Sequence, residues 1–288
     1  MAQLEHQPSG LDELRRWWEQ ESRRPTGGSP AARIAQLARR HNVLWMLVVR
    51  DLKKKYENSY LGYAWALLEP ASLIGVYWLV WGHVSRLHIN NYILFIATAM
   101  MPWLWFRNSV MGSSGSIAGN ARLVSSINLP REIYPVALAI TEGIEYLGTL
   151  PIVWILAAIY GVPPSPRFFL ILPLAIALEF VLVVGAALLM SALTTLFRDV
   201  ERVLGSFMRV LFYLTPVIYP SGRLHGALHT IFVVDPLVGI FNLNRAVFFP
   251  HTQITFQMIA ISVVGSVLMF VIGWAVFIRL EHSMLKEL

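Results

Sequence analysis

From residue 67 onward, long apolar stretches dominate the chain, separated by short polar ones. Six of them read as bilayer-crossing helices: 67–84, 92–112, 133–160, 168–197, 203–219 and 254–278. A crossing needs ~20 apolar residues, so the first and fifth are marginal. The fifth also carries Arg209 near its start, whereas the fourth is long enough to tilt or to project from the membrane. Ile231 to Phe249 is apolar too, but Pro236 and Gly239 interrupt it. That segment predicts a re-entrant helical hairpin backed by protein rather than a crossing.

The chain ahead of these stretches is different. Residues 1–42 read as a soluble, partly helical extension, with Leu11, Leu14 and Trp18 on one helix face and Ser22 to Pro30 as a linker. Ala31 to His41 predicts a second short helix. In Val43 to Tyr56, Trp45, Val48, Leu52 and Tyr56 recur at helical spacing, while Arg50, Asp51 and Lys53 to Lys55 take the other side. This pattern predicts a helix lying in the membrane surface. The expected organisation is an extension (1–42), an amphipathic helix and connection (43–66), a six-span region (67–279) and a tail (280–288).

Composition agrees with an all-α polytopic membrane protein. Hydrophobic residues make up 56% of the chain and charged ones 14%, too apolar a balance for a single soluble core. The net charge is +6, and eleven of the 23 Lys and Arg precede Trp65. Positive charge stays on the cytoplasmic side, so both ends are expected there. Arg122, Arg131, Arg198 and Arg202 fall in the loops this topology turns inward; the first two outward loops carry only Arg86 and Arg167. The basic segment also suits anionic membrane lipid as a partner. Nucleic acid is not expected, because the charges border membrane spans. Cysteine is absent, which excludes disulfides and thiolate chemistry. The polar first ten residues predict no cleavable signal peptide.

Candidate chemistry is sparse. A phosphate-binding P-loop needs Gly-Lys-Ser/Thr, and none of Lys53, Lys54, Lys55 and Lys286 follows a glycine. If ATP drives this protein, another subunit must bind it. No Gly-x-Ser-x-Gly or His-Glu-x-x-His motif occurs, and the His225/His229 pair reads as surface polarity, so no metal site is expected. Glu142 and Glu145 share one face of the third apolar stretch, and Glu179 lies in the fourth. Each must face protein or water. A polar substrate path and inter-helix hydrogen bonding both remain open, while the lack of a basic residue in the same stretches argues against a simple buried ion pair. In the inward loops, Asn128 to Pro135 (NLPREIYP) predicts a short helix parallel to the membrane, and Arg198 to Arg202 closes the fourth stretch. Each suits either solvated capping or docking of a cytosolic partner.

Four segments carry a resemblance: Arg50-Asp51-Leu52-Lys53 through Tyr56, Ser59, Leu61-Gly62, Trp65 and Pro70; Leu129 to Pro135 (LPREIYP); Phe197-Arg198-Asp199-Val200; and Thr215 to Tyr219 (TPVIY). In this order and spacing the chain, from about Arg50 to its end, resembles the ABC-2 type permeases, in particular the polysaccharide and teichoic-acid exporters of O-antigen and capsule type. Asp235-Pro236 stands where that family commonly has Asn-Pro. The resemblance implies a homodimeric permease joined to two ATP-binding cassette subunits, which hold the ATP and magnesium, with no cofactor in this chain. It implies a polyprenyl-pyrophosphate-linked glycan as cargo. Arg50, Lys53, Lys54, Lys55 and Tyr56 would form the gate helix that meets the phosphate head group, with Leu61 and Gly62 in the following loop. Asn128, Leu129, Pro130, Arg131, Glu132, Arg198 and Asp199 would dock the ATPase. Tyr77, Trp78, Trp81, Trp103, Trp105, Glu142, Glu145 and Glu179 are the channel candidates. Two rivals remain open: a permease for a drug or small lipid, and a membrane glycosyltransferase using a polyprenyl lipid.

Overall fold

A computed structural model describes residues 30–57, 59–83, 89–121, 129–197, 199–220, 234–252 and 254–287. All regular structure among them is helical: α1 (Pro30–Arg39), α2 (His41–Tyr56), α3 (Trp65–His83), α4 (Tyr92–Ser113), α5 (Ile133–Ile159), α6 (Phe168–Leu196), α7 (Asp199–Leu214), α8 (Pro236–Ala246) and α9 (Phe256–Glu287). Three of them, α5, α6 and α9, are long and apolar enough to cross a membrane, and the Trp65–Val80 part of α3 is a shorter apolar helix. With 29 residues, α6 is about 43 Å long at the helical rise, more than a ~30 Å hydrocarbon core requires.

The central helix is α4. Nearly every residue from Tyr92 to Phe106 is buried, and α4 packs on α3, α5, α6 and α8. The most extensive pairing is α6 against α9, made possible by two glycines: a Cβ on Gly185 would sit 2.5 Å from the Phe270 backbone, and one on Gly273 would overlap the Gly185 carbonyl. Small residues that let helices approach are the usual basis of packing in lipid, where no hydrophobic force draws helices together. The opposite side of α9 exposes Val263, Val264, Val267, Leu268, Val271 and Ile272, an apolar stripe suited to lipid.

Local sequence explains several boundaries. After α5, Gly161 adopts φ +64°, the Gly161 N–H donates to the Ala158 carbonyl and the Val162 N–H to that of Ala157. This is a glycine C-cap that satisfies the last carbonyls of the helix. Asp235 caps α8 by accepting from the Leu237 N–H at 2.9 Å, with Pro236 at the first helical position. Asp does at this position what Asn would do, so the Asp-Pro departure leaves the cap intact.

Three expectations change. The fifth apolar stretch is helical only over Asp199–Leu214, 16 residues, before the chain turns at Thr215 and Pro216, so the helix alone has fewer than the ~20 residues of a crossing. Trp45 does not share the buried face of α2: Val43, Leu47, Val48 and Tyr56 are buried, while Trp45 is 58% exposed beside Met46. Residues 129–132 form an extended entry and a turn into α5, with the Ile133 N–H on the Pro130 carbonyl, rather than a separate helix. The expected linker and first helix of the extension, residues 221–233 of the hairpin region, and the two loop histidines lie outside the described residues.

Candidate functional site

Helix α2 ends against α5, and the contact is ionic. Lys55 Nζ donates to Glu142 Oε1 at 3.1 Å, to Glu142 Oε2 at 3.2 Å and to Glu145 Oε2 at 2.6 Å. Spacing of three places both glutamates on one face of α5, which is why a single ammonium reaches both. Burial alone would pull the Lys55 ammonium down, but the Glu142 charge and the bonds to both glutamates outweigh it, and the net shift is upward. The expectation that Glu142 and Glu145 form no simple ion pair, for want of a basic residue in the same stretches, is therefore corrected: their cation comes from the preceding helix α2.

Two chambers meet at this pair. A cavity of about 240 Å³ is lined by Trp65, Glu69, Trp105, Asn108, Tyr146 and Thr149 among others, together with Lys55, Tyr56, Glu142 and Glu145. A wider groove of about 980 Å³ is lined by Arg50, Asp51, Lys54, Asn120, Tyr134 and Thr141, again with Lys55 and Glu142. The flat wall of the cavity is Trp105 stacked on Tyr146, with ring centroids 5.2 Å apart and 15° between planes. Trp105 Nε1 donates to the Ala139 carbonyl at 3.0 Å. Gly143, one turn on, makes room for the ring: a Cβ there would stand 2.9 Å from Trp105 Cζ2. Tyr146 is fixed at its other end by donating to Asn244 Oδ1 of α8 at 2.8 Å.

The remaining gate-helix residues divide. Arg50 donates to Asp51 Oδ1 at 2.7 Å and to Asn120 Oδ1 at 2.9 Å, which ties α2 to the short 3-10 turn Ala118–Asn120 that follows α4. Lys53 and Lys54 are exposed, and Lys54 lines the groove. Tyr56 is buried; burial and then its hydrogen bond to Glu145 push the phenol up. Leu61 is exposed, and Gly62 takes φ +48°, the left-handed turn between α2 and α3 that a side chain would strain.

Of the aromatic channel candidates whose side chains are described, only Trp105 lines the cavity. Trp103 is buried against Phe106 and Phe212 inside the helix packing, and Tyr77 packs on Phe212 at 5.3 Å. Trp78 lies on an exposed side of α3, and the Trp81 side chain lies outside those described. Glu179 is fully buried within α6, away from the lining of either chamber.

The docking candidates divide as well. Asn128 and Arg198 lie outside the described residues. Leu129 and Pro130 are buried. Asp199 opens α7, its side chain 93% exposed, with Arg202 at 3.8 Å. Glu132 is not on a surface at all: it is 0% exposed and accepts from Arg33 Nη1 at 2.7 Å. Arg33 Nη2 also reaches Glu281 Oε2 at 2.7 Å, and Arg131 Nη1 meets Glu281 Oε1 at 2.6 Å. This buried network joins α1, the entry to α5 and the end of α9, so the start and end of the described chain share one end of the helix assembly. Glu132 is thus an internal anchor behind the turn rather than a docking contact.

Sequence reasoning missed Arg33, Glu281 and Glu69. It also missed Arg245, 1% exposed, which donates to the Val217 carbonyl at 2.6 Å with its guanidinium 4.0 Å over the Phe95 ring. Tyr92 donates to the neighbouring Ile218 carbonyl at 2.8 Å, and Thr215 donates to Asp235 Oδ2 at 2.8 Å. The Thr215 to Tyr219 segment is therefore a buttressed turn at the end of the molecule opposite the Arg33 network. The apolar setting of Arg245 between Asn244 and Ala246 was the available signal, since an arginine there needs partners. Among the described residues no cluster of three or more metal-type ligands occurs.

Comparison with known proteins agrees with the resemblance. An O-antigen export system permease protein RfbA of Klebsiella pneumoniae is 28% identical over 241 residues, 84% of this chain and 93% of that protein. Its namesake from Myxococcus xanthus is 26% identical over 220 residues, 76% of this chain and 84% of that one. The polysialic acid transport protein KpsM of Escherichia coli is 22% identical over 210 residues, 71% of this chain and 80% of that one. Residues 42–249 match the ABC-2 type transporter family, and the chain belongs to that family.

Proposed function

We propose that this chain is the membrane permease of an ABC exporter that moves a polyprenyl-pyrophosphate-linked polysaccharide out of the cytoplasm. The observation that carries the reading is the adjoining groove and cavity where α2 meets α4 and α5, in a chain whose relatives are named as O-antigen and capsule-type export proteins. The groove offers Arg50 and Lys54 to an arriving pyrophosphate, and charge-assisted contacts of cations with phosphate are strong. The cavity beyond it offers aromatic faces, on which sugar rings stack without any one unit being gripped. The lipid tail stays in the bilayer beside the exposed Trp45 and Met46.

Six crossings are completed by α3, α4 and α7, with α7 extended through the 215–219 turn, and α8 is one arm of a re-entrant hairpin. At 11 residues α8 is too short to cross, and its burial from Leu237 to Ala246 supplies the protein backing such a segment needs. Both ends are cytoplasmic, in keeping with the basic N-terminal half. The chain works as a homodimer. Helix α7 exposes Val203, Phe207, Val210 and Tyr213 alongside Arg202 and Arg209. Charge on that face is costly in lipid, which favours a second copy and a wet path between the two. ATP and magnesium are held by two cytosolic ATPase subunits, which dock near Arg131, the partly exposed residue of the 129–132 turn, and at Asp199.

Depleting the protein tests this. Lipid-linked glycan should accumulate on the cytoplasmic side of the membrane, and a tagged chain should co-purify with a soluble ATPase. Normal surface glycan after depletion, with no ATPase on the purified chain, contradicts the proposal.

A further inference from the structure

The groove and the cavity differ in charge, and the difference bears on which glycan can pass. This step rests on reading the two chambers as the glycan path. Among the described residues, the groove sets Arg50, Lys54 and Lys55 against Asp51 and Glu142, a surplus of one positive charge. Among the described residues, the cavity sets Lys55 against Glu69, Glu142 and Glu145, a surplus of two negative charges. The Lys55 ammonium is neutralised there, meeting both oxygens of Glu142 and Glu145 Oε2.

We infer that the cavity selects an uncharged, hydroxyl-rich glycan and rejects one carrying carboxylates along its sugars, with Glu69 and Glu145 as specificity-determining residues. Carboxylates accept hydrogen bonds and donate none when ionised, so they suit sugar hydroxyls, which donate. The half-exposed Trp65 ring, beside the buried Trp105–Tyr146 stack, gives the apolar ring face a platform. A uronic or sialic acid would bring a second anion against carboxylates in a partly enclosed site, where like charges repel more strongly than in open water. The pyrophosphate meets no such barrier while it remains at the groove.

The test uses the full-length permease with its ATPase in lipid nanodiscs and reads stimulation of ATP hydrolysis. One probe is a polyprenyl-pyrophosphate carrying three neutral hexoses; the other is the same lipid with each hexose C6 oxidised to a carboxylate. The neutral probe should reach half-maximal stimulation at a concentration lower by about tenfold or more. Glu69→Gln, at the cavity mouth and outside the ion pairs described above, should narrow that gap, read as the ratio of the two half-maximal concentrations. Glu69→Gln with Glu145→Gln should narrow it further. Equal potency of the two probes, or a preference for the oxidised one, overturns the inference and leaves the exporter reading standing. A gap unchanged in both variants removes Glu69 and Glu145 as its cause. Stimulation by neither probe overturns the inference and the glycan reading together.

Discussion

Arg33 donates to Glu132 at 2.7 Å across 99 positions of sequence, and the carboxylate it meets is wholly buried. The same guanidinium holds Glu281, so one side chain joins the start, the middle and the end of the chain. Burial would lower the Arg33 pKa, but the two carboxylates outweigh it and raise it.

Removing that cation strands the buried Glu132 carboxylate and leaves Glu281 with Arg131 alone. Arg33→Ala should destabilise the protein by about 3–5 kcal/mol, the usual consequence of breaking a buried ion pair from one side. Glu132→Lys, which sets a second cation against Arg33, should prevent accumulation of folded protein altogether and so will not isolate a docking defect. Arg202→Ala, in a pair whose side chains are 89% and 93% exposed, should shift stability by less than about 0.5 kcal/mol. Thermal unfolding in mild detergent compares the three.

Lys55 is a milder case, because its side chain is 34% exposed. Lys55→Gln should cost about 1–2 kcal/mol, less than a fully buried pair would. The loss should be smaller in a Glu142→Gln background, since the uncompensated charge is then removed. A double-mutant cycle on unfolding free energies measures that coupling; strictly additive costs would show that the pair contributes nothing.

Arg245 holds the Val217 carbonyl and the Phe95 face together, a task for a planar guanidinium. Arg245→Lys keeps the charge but loses the stacked geometry, and should cost about 1–3 kcal/mol. The unfolding midpoint is the measurement, with Arg167→Lys on an exposed turn as the control that should not move.

How much of this was legible in the sequence depends on the range of each interaction. Periodicity and glycine or proline punctuation report on neighbours within a few turns, so α2, α5, α6 and α9 and the spacing of Glu142 and Glu145 could be read directly. The partners of those glutamates could not: Lys55 lies 87 positions before Glu142, on an element read as separate. Arg33 and Glu281, 248 positions apart, carry no local sign of each other. The apolar run through Leu214 to Tyr219 looked like the end of a span because a buried turn and a lipid-facing helix have the same composition. Only the partners of the carbonyls of Val217 and Ile218 tell them apart.

The most direct test of the account is translocation itself. Inverted vesicles containing the permease and its ATPase would be given a fluorescent polyprenyl-pyrophosphate glycan on the outside, and glycan protected from an added glycosidase would be measured with and without ATP. The account predicts protection that requires ATP and is abolished by disabling the ATPase of the partner subunit. Protection that develops equally without ATP, or none in either condition with a folded complex, would contradict it.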